Sequence, residues 1–324
     1  MSRRIAAAAV ATLLLVAAAS CHRMPQQRLA PPIAPGERAS VGGFEINYRR
    51  LGASTVNGAV RPTVVMLHGF GASSATWLDI ENQLLRAAPL LQIDLKGFGY
   101  SDRPLDGRYG VEDQVRAVTS VLAQLGVRDV VLLGHSFGGG IALGTLFALR
   151  ETHPEIRVHG LVLIDAATYE QKLPFFIAQL RNPITRWFAF NLMTPAQRVA
   201  VTLERITRVP GAASPARVAR YAPFHAMPGS DYALVKTAEQ LLPENHEAFI
   251  AQFRTIAQPT LIIWGERDPV VPVAFALQLD DDIPDSERHV LAQTGHVPHE
   301  ERPAEVARII AEFLTRVAAA RPAR

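Results

Sequence analysis

The chain of 324 residues holds a single cysteine, so no disulfide can close within it and neither a cysteine cluster nor a zinc ribbon can be built. Charge is scarce as well. Only 19% of residues are charged and the formal net charge is +3; with no run of five or six basic residues, a nucleic-acid partner is excluded. The ten histidines offer no close pair at ligand spacing beside a carboxylate, apart from His296 and His299, so no metal site is expected. No repeat of fixed period occurs. No apolar run reaches the roughly twenty residues that a membrane-spanning helix needs. What remains is a globular composition, 48% hydrophobic, with enough chain for one large core or one core plus an inserted subdomain.

The N-terminus reads as a targeting segment. Arg3 and Arg4 precede an apolar run from Ile5 to Ala19 broken only by Thr12, the layout of a signal sequence over residues 1–20. Ala18-Ala19-Ser20-Cys21 resembles a bacterial lipoprotein signal, in which the cysteine becomes the lipidated first residue, although Ala18 stands where that family usually has leucine. Ordinary cleavage near Ala19 and an uncleaved anchor remain the alternatives. Each of these routes exports the chain to the bacterial cell envelope, lipid-anchored or periplasmic. Loss of residues 1–20 removes both arginines and leaves a net charge of +1. Residues 21–37 form a linker, with four prolines between Met24 and Gly36 favouring extended chain.

From about Arg38, apolar runs alternate with helical patterns. Strands are predicted at Phe44–Leu51, Thr63–Leu67, Leu90–Ile93, Val130–Leu133 and Val158–Ile164, and helices at Ala75–Arg86, Val111–Leu125 and Phe137–Arg150. Such alternation implies an α/β fold, a mostly parallel sheet covered by helices on both faces. It stops over residues 169–245, which contain eight prolines and no convincing buried strand, and that stretch is read as an inserted helical cap. Afterwards it resumes with strands at Thr260–Trp264 and Arg288–Leu291 and helices at Pro272–Leu279 and Ala304–Val317. The core is therefore assigned to residues 38–168 and 246–320.

Gly134-His135-Ser136-Phe137-Gly138 lies where the strand through Leu133 turns into a helix. A G-x-S-x-G pentapeptide arises by chance in roughly one chain in ten of this length, so its setting must carry the argument. Glycines at a strand-to-helix turn hold a serine in a strained conformation with its hydroxyl raised above the sheet. A serine hydroxyl needs a base, a group to orient that base, and donors for the oxyanion. The base is assigned to His296, in the loop before the last helix, and the acid to Asp268, just beyond the strand ending at Trp264. Glu266 and Asp165 are rival acids. His299 is the rival base, set aside because it sits beside Glu300 and Glu301 as an exposed residue would. Backbone N–H groups of Phe137 and Phe70, the latter in His68-Gly69-Phe70-Gly71, are assigned to the oxyanion hole. His68, His135, Asp94, Gly97 and Gly99 are read as supports of loop geometry.

These motifs together resemble the α/β-hydrolase superfamily over roughly residues 38–320. The resemblance is carried by His68–Gly71, Asp94–Ser101, Gly134–Gly139, Gly265–Asp268 and Gly295-His296. It implies a serine hydrolase of the esterase or lipase-like branch that uses no cofactor, with carbon–carbon bond hydrolases of vinylogous diketones sharing the same motifs. A catalytically silent ligand-binding lipoprotein is the alternative of another class. Serine at position 136 argues against branches of the family that carry aspartate there. Fold alone does not choose the substrate.

The expected substrate is a small-molecule ester or lipid with an apolar acyl group, met by cap aromatics of which Phe175, Phe176 and Trp187 are the candidates. The cap carries nine Lys and Arg against five acids. Leu173–Met193, aromatic and basic, is expected to meet an anionic membrane surface, alongside the lipid at Cys21.

Overall fold

The computed structural model describes residues 30–320 apart from residues 54, 57 and 58. Cys21, the targeting segment and the first part of the linker lie outside the described residues. Eight strands build the main sheet: β1 Glu37–Val41, β2 Phe44–Leu51, β3 Thr63–Leu67, β4 Leu90–Ile93, β5 Asp129–His135, β6 Arg157–Ile164, β7 Thr260–Gly265 and β8 Ser286–Leu291. Their spatial order is β1-β2-β4-β3-β5-β6-β7-β8. β1 and β2 run antiparallel, and the six strands β3 to β8 run parallel. Parallel strands connected through helices are covered on both faces, which is why they appear in the sequence as unbroken apolar runs.

Successive side chains of those runs divide between two cores. Val65, Leu67, Leu132, Leu163 and Ile262 face one side, against α1 (Val111–Gln124) and α2 (Phe137–Thr152) through Val118, Leu122, Ile141 and Leu146. Val64, Met66, Val131, Leu133, Val162, Leu261 and Ile263 face the other, against Val306, Ile310 and Phe313 of the C-terminal helix Pro303–Ala319. Each fully buried aliphatic side chain among them contributes about 1.5–3 kcal/mol. The alternation fixes register, since a one-residue slip would exchange the two faces.

Two elements differ from the sequence reading. β1 was not expected, because three of its five residues are exposed and it offers only Ala39 and Val41 to the core. The helix expected over Ala75–Arg86 is instead a 3-10 turn at Ser74–Trp77 and a single α turn at Glu81–Leu84. Tertiary hydrogen bonds hold that segment away from a continuous helix. The Ser74 N–H donates to Asp94, and the Asp79 carboxylate is drawn to Arg220.

Between β6 and β7 the described chain contains no strand. It folds as α3 Phe175–Arg181, α4 Pro183–Leu192, α5 Pro195–Ile206, α6 Pro215–His225 and α7 Ser230–Glu239, then a short helix at His246–Ala251. The prolines that obscured this region in the sequence are partly its helix starts. Pro183, Pro195 and Pro215 occupy the first turn of their helices, each after an Asn182, Thr194 or Ser214 side chain that accepts backbone N–H bonds. Proline has no N–H to lose there and its fixed φ suits the helix. α8 (Ala274–Asp282) and α9 (Pro303–Ala319) complete the layer around β7 and β8. Among the described residues no helix is long and apolar enough to cross a membrane.

Candidate active site

Ser136 stands between β5 and α2 with φ 53° and ψ −120°, a left-handed backbone that costs a non-glycine residue about 1–3 kcal/mol. The fold around it leaves no other course. A Cβ on Gly134 would lie 2.2 Å from the Gly138 carbonyl, and one on Gly138 would lie 2.2 Å from that of Leu67, so only glycine lets strand and helix meet. The Ser136 carbonyl accepts from the N–H groups of Gly139 (2.8 Å) and Ala167 (2.9 Å), and the Ser136 N–H donates to Ile164 (2.9 Å).

The three residues chosen from the sequence meet in one chain of hydrogen bonds at the carboxyl end of the sheet. His296 Nδ1 lies 2.7 Å from Asp268 Oδ2, and His296 Nε2 lies 2.9 Å from Ser136 Oγ. A carboxylate only accepts, so Nδ1 carries the proton and Nε2 is left to accept from the serine hydroxyl. Asp268 Oδ1 in turn accepts from the N–H groups of Val270 (2.7 Å) and Val271 (3.1 Å). Burial alone would raise its pKa, but the facing His296 charge and hydrogen bond outweigh that and hold it below the usual value. The arrangement can take a proton from Ser136 and stabilise the imidazolium that results.

The rival acids have other positions. Glu266 is exposed and accepts from the Gln293 N–H. Asp165, after β6, is buried with φ 42° and accepts from the Gly265 N–H at 3.0 Å. Burial and the neighbouring Asp268 charge push its pKa well above the usual carboxylate value. Asp165, Asp268 and His296 bring three ligand-type atoms within 4.8 Å of one another, but the bond from Nδ1 to Asp268 already occupies two of these residues.

Phe70 follows β3 and borders the cavity beside Ser136, while Phe137 opens α2, where the first N–H groups have no intrahelical acceptor. The Phe70 loop is held by His68, whose Nδ1 donates to the Gly69 carbonyl (2.8 Å) while Nε2 accepts from the Leu95 N–H (3.0 Å). His135 donates from Nε2 to the His296 carbonyl at 2.8 Å. Its burial pushes the pKa down to about 3, so it is a neutral support. Asp94 accepts from Ser74 N, Tyr100 N and Asn47 Nδ2, joining β2 to the loop after β4.

Above Ser136 lies a cavity of about 710 Å³ lined by Phe175, Phe176, Leu180, Ala189, Phe190, Leu203 and other residues of the helices between β6 and β7. Phe176 stacks on Phe70, with centroids 6.0 Å apart. The lining contains no carboxylate; Arg198 is paired with Asp231 at 3.0 Å and Arg205 stands over the Phe175 ring at 4.4 Å. Trp187, expected to contact substrate, is instead on the outer face of α4 and takes no part in the lining. The inner face of that helix is given by Ala189 and Phe190, both in the lining.

Sequence reasoning also misplaced His299, Glu300 and Glu301, all of which are buried. Glu301 accepts from the N–H groups of Gly295 (3.0 Å), Val297 (3.3 Å), Arg208 (2.7 Å) and Val209 (2.9 Å), tying the His296 loop to the segment after α5. Glu300 accepts from Thr76 Oγ1 at 3.0 Å and from the Tyr221 hydroxyl, and it meets Arg217 and Arg220 of α6. The His299 ring packs 4.6 Å from His135, with Nε2 at 2.8 Å from Thr76 Oγ1. A glutamate pair at the start of a helix ordinarily faces solvent, and the cations that bury this one lie about eighty residues away in the chain.

The α/β hydrolase fold family matches residues 62–303. A 2-hydroxymuconate semialdehyde hydrolase of Pseudomonas sp. (strain CF600) is 30% identical over 307 residues, covering 90% of this chain and 98% of that protein. A solved structure of a membrane phospholipase A, a bacterial virulence factor, is 27% identical with a TM-score of 0.68, covering 98% of this chain and 99% of its own. An esterase from Exiguobacterium antarcticum, 23% identical with a TM-score of 0.70 over 86% of this chain and 99% of that one, shares the fold. With a match across most of its core and a 30% identical relative along nine-tenths of its length, the chain belongs to the α/β-hydrolase fold family.

Proposed function

We propose that this α/β hydrolase is a serine hydrolase of carboxylic esters with apolar acyl groups, a carboxylesterase or a monoacylglycerol-type lipase. The observation that carries the reading is the unbroken relay from Asp268 through His296 to Ser136, opening into a cavity walled mainly by aromatic and aliphatic side chains. His296 takes the Ser136 proton as Oγ attacks the ester carbonyl, and the Phe70 and Phe137 amides receive the oxyanion. His296 then gives that proton to the departing alcohol, leaving an acyl-serine. Water, deprotonated by the same histidine, releases the acid and restores Ser136. A lipid substrate is also supported by the likeness to the membrane phospholipase A. Export and a lipid on Cys21 would bring the hydrolase to such a substrate, and Cys21→Ser should release the chain from the envelope fraction.

A second reading rests on the relative at 30% identity, whose name is that of a semialdehyde hydrolase. Cleavage of a carbon–carbon bond in a vinylogous diketone would use the same serine and histidine. An ionised substrate would call on a cation in the cavity, where Arg198 is paired with Asp231 while Arg205, over the Phe175 ring, makes no ion pair among the described residues. The test is a fluorophosphonate probe on the wild type and on Ser136→Ala, followed by a series of acyl esters beside a vinylogous diketone. Labelling lost in Ser136→Ala, with esters turned over faster, is expected. Faster diketone cleavage would favour the second reading, and neither labelling nor turnover would leave a ligand-binding protein.

A further inference from the structure

Helix α4 has two faces of unlike character. Ala189 and Phe190, buried and half-buried, line the cavity. The opposite arc carries Ile184, Trp187, Phe188 and Leu192, whose relative exposures are 70%, 56%, 52% and 67%. Spacings of three, four and eight residues from Ile184 put all four on one stripe. Leu173, before α3, adds a further exposed apolar side chain. A stripe of this kind on a soluble surface marks a site of contact rather than a chance exposure.

Charge selects what covers it. From Gln171 to Leu203 the chain carries Lys172, Arg181, Arg186 and Arg198 and no carboxylate at all. Arg198 is paired with Asp231 and Arg186 lies 3.8 Å from Glu239. Lys172 and Arg181 are exposed and make no ion pair among the described residues. Aromatic and aliphatic side chains rimmed by cations suit the boundary between lipid headgroups and acyl chains, where such a helix buries its apolar face about 5–10 Å deep. A second copy related by a twofold axis would set one acid-free cationic segment against another.

We propose that the outer face of α4, through Ile184, Trp187, Phe188 and Leu192, docks on an anionic phospholipid surface. The same helix would then present the membrane on one side and wall the cavity on the other, so that an acyl chain leaving the bilayer meets α4 before it meets Ser136. The docking is independent of which bond Ser136 cleaves, because its test reads lipid contact and not turnover.

Of the three tryptophans, Trp77 and Trp264 are fully buried and Trp187 is exposed, which makes the indole of α4 a built-in reporter. The full chain is mixed with vesicles of phosphatidylcholine alone and of phosphatidylcholine with phosphatidylglycerol. The expected result is a blue shift of emission and an about two- to fivefold fall in acrylamide quenching on the anionic vesicles. Trp187→Phe should abolish that response, and Lys172→Gln with Arg181→Gln should weaken it. Because the signal comes from α4, membrane attachment elsewhere in the chain does not produce it. Trp187 as quenchable on sedimented vesicles as in buffer would overturn the proposal. So would protection that appears without vesicles and grows with protein concentration, which would assign the face to a second copy. Equal protection on phosphatidylcholine alone would overturn the anionic preference.

Discussion

Asp165 brings its carboxyl within 4.8 Å of the Asp268 carboxylate, and the two titrate in opposite directions, Asp165 upward and Asp268 downward. Two like charges in one buried space cannot both be held, so the carboxyl without a histidine partner stays protonated. Of the two, Asp268 is the one that hydrogen-bonds His296. Asp165→Asn, which keeps shape and neutrality, is therefore expected to retain kcat/KM within about threefold, whereas Asp268→Asn should lose on the order of 10⁴-fold. Steady-state kinetics on one ester decides this. An Asp165→Asn variant as inactive as Ser136→Ala would transfer the orienting role to Asp165.

The loop that carries His296 depends on Glu301. Its two oxygens receive N–H groups from Gly295 and Val297 on one side and from Arg208 and Val209 on the other. Glu301→Gln turns one acceptor into an NH₂ donor facing N–H groups, leaving buried donors unpaired at a cost of about 1–3 kcal/mol. Two readouts are expected to move together: the thermal midpoint falls by several degrees, and fluorophosphonate labelling of Ser136 slows by about tenfold at a temperature where the variant is folded. A lowered midpoint with unchanged labelling would mean that Glu301 holds the fold without positioning His296.

Acid should destabilise the folded chain above the pH at which its carboxylates protonate. His135 is buried and His225 half-buried, and desolvation lowers their pKa values to about 3 and about 4, from 6.5 in the unfolded chain. His299 is lowered likewise, by burial first and then by the neighbouring His135, Arg217, His296 and Arg220, any of which when charged disfavours a second charge there. Below pH 6.5 the unfolded chain binds protons that the folded chain refuses. Stability is therefore full above that value and falls between pH 6.5 and about 4, by on the order of 2 kcal/mol each for His135 and His225 at pH 5. Asp165 acts the other way, since its folded pKa is raised and the strain of keeping it neutral eases as pH falls toward 3.8. The thermal midpoint should thus drop from pH 7 to pH 5, more steeply in Asp165→Asn. A flat profile in both proteins would contradict the neutral buried imidazoles.

How legible these features were in the sequence follows from how local their causes are. β3 and β4 were read to the residue, and β5 to β7 to within two residues, because strands covered on both faces need uninterrupted apolar runs. Ser136, Asp268 and His296 were legible because each follows a strand end marked by glycine, and the structure brings them together. β1 escaped notice because three of its five residues are exposed. The buried state of Glu300 and Glu301 depends on Arg217, Arg220 and the Arg208 N–H, partners that no local pattern announces. Trp187 was misassigned for a related reason. Helical spacing tells which residues share a face, but not which face the rest of the chain covers.

The cavity wall gives a direct test of where the acyl group sits. Ala189 is buried on the inner face of α4 and lines the cavity between Thr185 and Met193. Replacing its methyl with an indole fills part of the 710 Å³ without touching Ser136, His296 or Asp268. Each methylene denied its apolar wall costs about 0.8 kcal/mol, so losing room for three or four of them removes about 2–3 kcal/mol of transition-state binding for a long acyl chain. Ala189→Trp is accordingly expected to lower kcat/KM for decanoyl esters by about 30- to 200-fold while leaving acetyl esters within about threefold. The profile across a series of p-nitrophenyl esters from acetyl to decanoyl measures this. An equal loss at every chain length would mean that the substituted helix disturbs the catalytic loop, and an unchanged profile would place the acyl chain elsewhere in the molecule.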